Sequence, residues 1–212
     1  VLVVEKEAID KVNRINEAIT FATLPAYKPV VEGEMVATVK IIPFAVDVGP
    51  RDAALELARS LSPFVRVAPY RIRKLGIVST LLPGLAPKVI DKTLRVTAER
   101  LAPAGATIIA ERRVPHEQAP LAKAIAEVLD EGAEMVIVFG ASAIADRRDV
   151  IPSAIEAVGG QIAHFGMPVD PGNLMLVGTV RERPVLGAPG CARSPKENGF
   201  DWILMRLLAG LP

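Results

Sequence analysis

Residues 136–149, VIVFGASAIADRRD, are the stretch that decides the fold of this chain. The apolar run 136–139 predicts a buried strand, which ends directly in the small residues Gly140, Ala141 and Ser142. A turn of small residues lets backbone N–H groups approach a ligand closely, and open parallel sheets bind their ligands at the carboxyl ends of their strands. We therefore expect this stretch to contribute both to the core and to the functional site.

Charged residues follow the turn at once: Asp146, Arg147, Arg148 and Asp149. A carboxylate here could hold a divalent cation or orient a phosphate, and an arginine could pair with a phosphate or a carboxylate. The alternative is an ordinary helix start, with Asp149 as the N-cap of a helix that has Pro152 in its first turn. Both interpretations stay open on spacing alone, because Gly-Ala-Ser is neither a GxGxxG nor a P-loop motif.

The composition favours a core of aliphatic side chains. Half of the 212 residues are apolar but only 4% are aromatic, which is typical of parallel sheets covered by helices on both faces. The net charge of +1 argues against non-specific nucleic-acid binding, which needs a basic excess. A single cysteine, Cys191, excludes an internal disulfide and fits a cytoplasmic protein, and no apolar run is long enough to predict a membrane span.

The order of predicted elements divides the chain into residues 1–70 and 71–212. The first part, interrupted by several prolines, predicts a small α+β segment. The second part alternates strands and helices, which predicts βαβ units and a mainly parallel sheet with helices on both faces. The predicted strands are 75–80, 107–110, 135–139, 174–177 and 184–186, and the predicted helices are 89–101, 117–129, 152–158 and 195–208.

Two Pro-Gly pairs, Pro171-Gly172 and Pro189-Gly190, each stand beside a short predicted strand. Such a pair is first of all a turn signal. Because both lie in the same half of the chain as the Gly-Ala-Ser turn, they could form walls of one shared cleft. Cys191 follows the second pair with Arg193 close by, and we interpret it as a small lining residue, because no Cys–His–Asn arrangement supports a thiol enzyme.

Six segments occur in a fixed order along residues 71–212: residues 76–80, Asp91-Lys92, residues 114–117, residues 139–149, Pro171-Gly172 and residues 186–194. In this order they resemble the molybdopterin-binding domain of molybdenum cofactor biosynthesis, known as the MoaB/Mog fold. Residues 19–46 and the ending ENGFDWILMRLLAGLP further resemble a subgroup of which some members continue into a nucleotidyltransferase domain similar to the cofactor's cytidylyltransferases.

The resemblance implies a three-layer fold in which the Gly140–Ser142 loop holds the phosphate of a pterin. It implies that Asp149 is the catalytic or metal-orienting carboxylate and Asp146 the second candidate, with Mg²⁺, nucleotide and molybdate joining the pterin in some relatives. The residues expected to contact the cofactor are Gly140, Ala141, Ser142, Arg148, Pro171, Gly172, Pro189, Gly190, Cys191 and Ser194.

Two departures from the family pattern bear on activity. His116 stands where the family has an acid that serves Mg²⁺ and nucleotide chemistry, and Cys191 stands where it has an asparagine. The first expectation is therefore a protein that binds molybdopterin or the molybdenum cofactor in cofactor biosynthesis, with nucleotidyl transfer or metal insertion if it is an enzyme. The alternatives are a non-catalytic carrier or sensor module and, third, a relative of nucleotide pyrophosphatases.

The resemblance also implies partners. We expect a small-molecule pterin and a nucleotide as ligands, and a homo-oligomer as the assembly. Molybdoenzymes or a nucleotidyltransferase domain are further candidate partners.

Overall fold

The computed structural model describes residues 1–84 and 87–212 and contains two compact units, Val1–Pro69 and Tyr70–Pro212. In the first unit, β1 pairs antiparallel with β4, and β2 pairs antiparallel with β3. Its elements are β1 (Leu2–Val4), α1 (Lys6–Asn13), β2 (Ile19–Thr23), β3 (Ala37–Ile41), α2 (Val48–Leu61) and β4 (Val65–Val67).

A modest core holds the first unit together. Leu2, Ile9 and Ile19 are buried, because α1 turns its apolar stripe toward the strands. The side chain of Asn13 accepts from the backbone N–H of Phe21 at 2.7 Å and donates to its carbonyl at 2.9 Å, which fixes the helix to β2. This unit is the small α+β segment predicted from the sequence.

The second unit is built on a six-stranded sheet of order β6-β5-β7-β10-β9-β8. The strands β6, β5, β7 and β10 are parallel, whereas β9 runs antiparallel to both of its neighbours. The elements are β5 (Lys74–Leu81), α3 (Pro87–Leu101), β6 (Thr107–Pro115), α4 (Gln118–Asp130), β7 (Met135–Phe139), α5 (Val150–Ala157), β8 (Gln161–Phe165), β9 (Leu176–Val180), β10 (Arg183–Ala188) and α6 (Gly199–Leu208). The predicted mainly parallel α/β fold is confirmed.

Helices cover both faces of this sheet. All five residues of β7 are buried, and since side chains alternate along a strand, Val136 and Val138 face one helix layer and Phe139 faces the other. Val136 and Val138 belong to the core cluster formed with α4 and α5, while the ring of Phe139 lies 6.4 Å from that of Phe200 in α6. The strand that precedes the candidate loop is thus anchored from two sides.

The structure differs from the sequence prediction at the sheet edge and at the last helix. The edge strand β8 was not predicted, because its half-exposed sequence, QIAHF, lacks a clear alternation of apolar and polar residues. The last helix begins at Gly199 rather than at residue 195, because Asn198 and Asp201 form a capping box there. Among the residues that the structure describes, no helix combines the length and the apolar character needed to cross a bilayer.

Candidate functional site

A cleft of about 180 Å³ opens at the carboxyl ends of β7 and β10. The two strands are parallel neighbours, with Phe139 opposite Ala188, so the loops that follow them start side by side. The structure therefore brings the Gly-Ala-Ser turn and the second Pro-Gly turn together, as predicted. The lining residues are Val89, Gly140, Ala141, Ser142, Ala143, Ala188, Gly190 and Arg193.

A chain of hydrogen bonds holds the Gly-Ala-Ser turn. The backbone N–H of Ala141 donates to Thr80 Oγ1 at 2.8 Å, Thr80 Oγ1 lies 2.8 Å from His116 Nδ1, and His116 Nε2 lies 2.9 Å from Ser142 Oγ. Thr80 is fully buried at the end of β5. The imidazole of His116 therefore links the buried hydroxyl of Thr80 to the hydroxyl of Ser142, and the direction of each of these two hydrogen bonds follows the tautomer of the ring.

This network changes which backbone groups can meet a ligand. The N–H of Ala141 donates to Thr80 and is therefore not free for a ligand in this structure, while the predicted contact of Ala141 with a cofactor stays a prediction. Ser142 and Ala143 are exposed, and within the described residues their N–H groups have no acceptor in the protein. Gly140 is required by close packing, since a Cβ there would lie 2.6 Å from the carbonyl oxygen of Ser142.

Arg193 is a site residue that sequence reasoning noted only as a neighbour of Cys191. Its guanidinium donates to Thr93 Oγ1 at 3.1 Å and to the carbonyl oxygen of Gly140 at 2.8 Å. It also lies 5.4 Å from the centre of the Phe139 ring. Partial burial lowers the pKa of the Arg193 guanidinium. No carboxylate of residues 1–84 or 87–212 forms an ion pair with it.

The two predicted carboxylates, Asp149 and Asp146, differ in how many of their oxygens already accept hydrogen bonds from the protein. Asp149 is the N-cap residue of α5, and its Oδ2 accepts from the N–H groups of Ala145 at 2.7 Å and Asp146 at 2.8 Å. Asp146 accepts from the backbone and the guanidinium of Arg148. These bonds to Arg148 lower the pKa of Asp146 to about 2. Only Oδ1 of Asp149 has no protein donor in the described part of the chain.

Asp149 and Asp146 are the two residues predicted to hold a magnesium ion. In the ranges described, no group of three or more His, Cys, Asp or Glu side chains could hold a metal ion. Mg²⁺ is nevertheless often held by one carboxylate together with substrate phosphates and water. Oδ1 of Asp149 is free for such a bond, whereas Asp146 would first have to release Arg148, and neither residue belongs to the set that lines the cleft.

The first Pro-Gly turn packs beneath α6 instead of lining the cleft. The carbonyl of Pro171 accepts from the N–H of Gly199 at 3.1 Å. Gly172 has a φ of 129°, and a Cβ there would lie 2.9 Å from the Gly199 Cα. The predicted contact of Pro171 and Gly172 with a cofactor remains a prediction, and in this structure both support the start of α6.

The second Pro-Gly turn continues into a 3₁₀ helix, Gly190–Arg193, with Pro189 as its N-cap. The Cys191 thiol donates to Asn198 Oδ1 at 3.5 Å, and burial raises the pKa of the thiol. The hydroxyl of Ser194 is exposed and accepts from the N–H of Lys196 at 3.2 Å. Cys191 therefore points toward the α6 cap, and its protonated thiol does not favour nucleophilic chemistry.

A buried arginine fixes this second turn from below. Arg100 of α3 pairs with Asp201 at 2.5 Å and donates to the carbonyl oxygens of Ala192 at 2.7 Å and Ser194 at 2.6 Å. Its side chain is only 7% exposed. Sequence reasoning missed Arg100, because a lone arginine in a helical pattern usually predicts a solvated position.

Comparison with known proteins gives a family match. The model of a family described as a probable molybdopterin binding domain matches residues 76–209, a range that contains the whole cleft. In sequence, no curated protein matches the chain.

Solved structures of cofactor biosynthesis proteins are similar to this chain. The molybdopterin biosynthesis protein MoeA from Pyrococcus horikosii is 21% identical over 92% of this chain and 51% of its own, with a TM-score of 0.49. MoaB from Thermus thermophilus is 18% identical over 66% and 99%, with a TM-score of 0.45. The tungsten cofactor synthesizing protein MoaB from Pyrococcus furiosus is 17% identical over 67% and 93%, with a TM-score of 0.44. The chain thus spans about half the length of the first of these proteins.

Proposed function

Because this chain belongs to the family of probable molybdopterin-binding domains, we propose that it binds molybdopterin or the molybdenum cofactor in the cleft between the Gly140–Ala143 turn and the Gly190–Arg193 segment. The observation that carries the proposal is the set of unused donors on the residues that line this cleft. The N–H groups of Ser142 and Ala143 have no protein acceptor within the described residues, and the same cleft is lined by a cation. Such a set suits the phosphate group of a pterin.

Binding is supported independently of any chemistry. The turn is fixed before a ligand arrives, since Thr80 holds Ala141 and His116 holds Ser142. A turn fixed in advance loses little conformational entropy on binding, so more of the interaction energy contributes to affinity. His116, which stands at the family's acidic position, is already used in this network, which supports a binding role more than a catalytic one.

The experiment is a direct measurement of molybdopterin binding by the purified chain, compared between two glycine variants. Gly140→Ala forces a Cβ to within 2.6 Å of the Ser142 carbonyl oxygen, whereas Gly49→Ala meets nothing within 4 Å. We expect Gly140→Ala to lose binding and Gly49→Ala to bind like the wild type, with similar circular dichroism spectra for both. A wild-type chain that binds no molybdopterin, or a Gly140→Ala chain that binds it normally, would refute the proposal.

A second candidate function, Mg²⁺-assisted nucleotidyl transfer or metal insertion, is favoured by one observation. Oδ1 of Asp149 has no protein donor among the described residues, while its Oδ2 is held by two N–H groups. Mg²⁺ bound there would neutralise charge on a transferring phosphate. Asp149 would then orient the ion, and Asp146, held by Arg148, would contribute mainly to the shape of the loop.

Turnover with Mg²⁺ and CTP or ATP distinguishes an enzyme from a carrier. The resemblance to the cytidylyltransferase subgroup makes CTP the first nucleotide to test. Asp149→Asn keeps an oxygen acceptor for the loop but removes the charge, so it should abolish turnover and leave molybdopterin binding in place. Tight binding with no nucleotidylated pterin would favour a carrier or sensor, and hydrolysis of the nucleotide alone would favour a pyrophosphatase. A homo-oligomer and a molybdoenzyme or nucleotidyltransferase partner stay predictions from the resemblance, and a cytoplasmic location stays a prediction from the single cysteine.

A further inference from the structure

The guanidinium of Arg193 lines the cleft with more donors than the protein uses. We propose that Arg193 binds the phosphate together with the N–H groups of Ser142 and Ala143, and so makes the cleft select a phosphorylated pterin over the same pterin without its phosphate. The identity of the ligand as a pterin rests on the proposed function, whereas the existence of the anion site does not.

The hydrogen bonds of Arg193 leave part of its donor capacity unused. A guanidinium carries five N–H donors in a planar fork. One N–H from each terminal nitrogen is used, by Thr93 Oγ1 and by the carbonyl oxygen of Gly140. The guanidinium carbon lies 5.4 Å from the centre of the Phe139 ring, and this cation–π contact helps to hold the fork in position. Arg193 therefore presents spare donors from a fixed position, which a flexible lysine would not reproduce.

The charge of Arg193 is also uncompensated, and a second buried arginine shows the contrast. Arg100 lies against Asp201 at 2.5 Å, but no carboxylate of the described residues is paired with Arg193. A partly buried cation without a counter-ion costs free energy because it has lost hydration. An anion that enters the cleft removes this cost, so it gains more at Arg193 than at an exposed arginine such as Arg148.

Donors on two sides of the cleft favour a phosphate over a carboxylate. Arg193 lies on the β10 side, and the N–H groups of Ser142 and Ala143 lie on the β7 side. A tetrahedral phosphate has three terminal oxygens that can accept from both sides, whereas the two oxygens of a carboxylate lie in one plane. Recognition of a phosphate monoester therefore uses both walls.

A purely structural role is the alternative, because Arg193 also supports the Gly140 carbonyl. The two roles differ in one measurable way. A residue that only supports the turn changes the affinity for every ligand of the cleft equally, whereas a residue that binds phosphate changes the affinity for phosphorylated ligands only.

The variants are Arg193→Met, which keeps the apolar stem over Phe139, and Arg193→Lys, which keeps the charge without the fork. Arg95→Met, on the exposed side of α3, is the matched control.

The first measurement titrates inorganic phosphate into the ¹⁵N-labelled chain and follows backbone amide shifts by NMR. We expect saturable shifts at Ser142 and Ala143 in the wild type and in Arg95→Met, and their loss in Arg193→Met. If phosphate leaves these amides unmoved in the wild type, or if Arg193→Met still shows the saturable shifts, the proposal is wrong. A spectrum of Arg193→Met that matches the wild type elsewhere shows that the variant is folded. If the variant does not fold, Arg193→Lys replaces it, with binding weakened but not lost.

The second measurement compares phosphorylated pterin with the same pterin after phosphatase treatment. Losing a charge-assisted hydrogen bond should weaken binding of the phosphorylated form about 10–100-fold in Arg193→Met, while affinity for the dephosphorylated form stays within about twofold of the wild type. Equal losses for both forms would overturn the phosphate role and leave the proposed function standing. If the wild type binds neither pterin, the proposed function fails, and the phosphate titration alone decides whether the anion site exists.

Discussion

The two walls of the cleft stand at the same end of the sheet but are fixed in opposite ways. The first wall, residues 140–149, is held by side chains at or near the surface, such as His116 on Ser142 and Asp149 on its own loop. The second wall, residues 189–198, is held by Arg100, which is buried and paired with Asp201. The difference suggests a division of roles: the second wall carries a cation on a buried support, and the first wall supplies amides from a turn that hydrogen bonds hold in place.

The strongest test of this contrast is to remove the buried arginine beneath the second wall. Arg100→Met leaves the carboxylate of Asp201 buried without its partner and two carbonyls without donors. Breaking a buried ion pair in this way should lower the free energy of unfolding by about 3–5 kcal/mol, measured by urea denaturation. Arg95→Met should change it by no more than about 0.5 kcal/mol. A loss below about 1 kcal/mol for Arg100→Met would mean that the second wall does not depend on this pair.

The first wall contains one buried support, Thr80, and its removal should have the next largest effect. Thr80→Val takes away the acceptor of the Ala141 N–H and the partner of His116 Nδ1. We expect a loss of about 1–3 kcal/mol and faster hydrogen exchange at the Ala141 amide.

The neighbouring residue provides a matched control for that variant. Ser79 is also fully buried, yet among the described residues its hydroxyl has no partner. Ser79→Ala should therefore be close to neutral or slightly stabilising, since it removes an unsatisfied polar group. If both variants destabilise the chain equally, the hydrogen bonds of Thr80 are not what holds the turn.

The sequence was most informative for the elements whose pattern is local. The run 136–139 predicted a buried strand, and β7 is buried along its whole length. The alternation of strands and helices predicted the mainly parallel sheet, because spacing along the chain limits which strands can pair in parallel. Composition alone indicated the aliphatic core.

The sequence was least informative where distant residues meet. Thr80, His116 and Ser142 lie on three separate segments, so no local pattern shows that they form one network. Arg193 lies far along the chain from both Thr93 and Gly140. The sequence signal for Arg193 is a charged residue close to a Pro-Gly turn. That signal indicates a binding residue only when the turn is known to line the cleft.

The cap of α6 tests whether the second wall depends on more than Arg100. Asn198 is buried, accepts from the N–H of Phe200 at 3.1 Å and donates to the carbonyl of Lys196 at 3.0 Å. Asn198→Ala should cost about 1 kcal/mol in urea denaturation, while Asn198→Asp should keep most of the cap. If both variants lose the same free energy of unfolding, the stabilisation comes from the amide donor of Asn198 and not from its cap of α6.

The smallest expected effect concerns Asp146 and Arg148 at the exposed end of the first wall. The guanidinium of Arg148, together with the backbone N–H of the same residue, lowers the pKa of Asp146 to about 2, below the roughly 3.9 of an unfolded aspartate. The pair therefore contributes order to the loop above about pH 4, and this contribution is lost as the pH falls through about 2. An NMR titration should give that low midpoint in the wild type and in Arg95→Met, and a midpoint raised toward the ordinary aspartate value in Arg148→Met, which removes the guanidinium but keeps the backbone N–H that also lowers the pKa. Because the pair is exposed, Arg148→Met should leave global unfolding unchanged. If instead it lowers the free energy of unfolding as much as Arg100→Met is expected to, the proposed difference between a surface-held first wall and a buried, rigid second wall would be wrong.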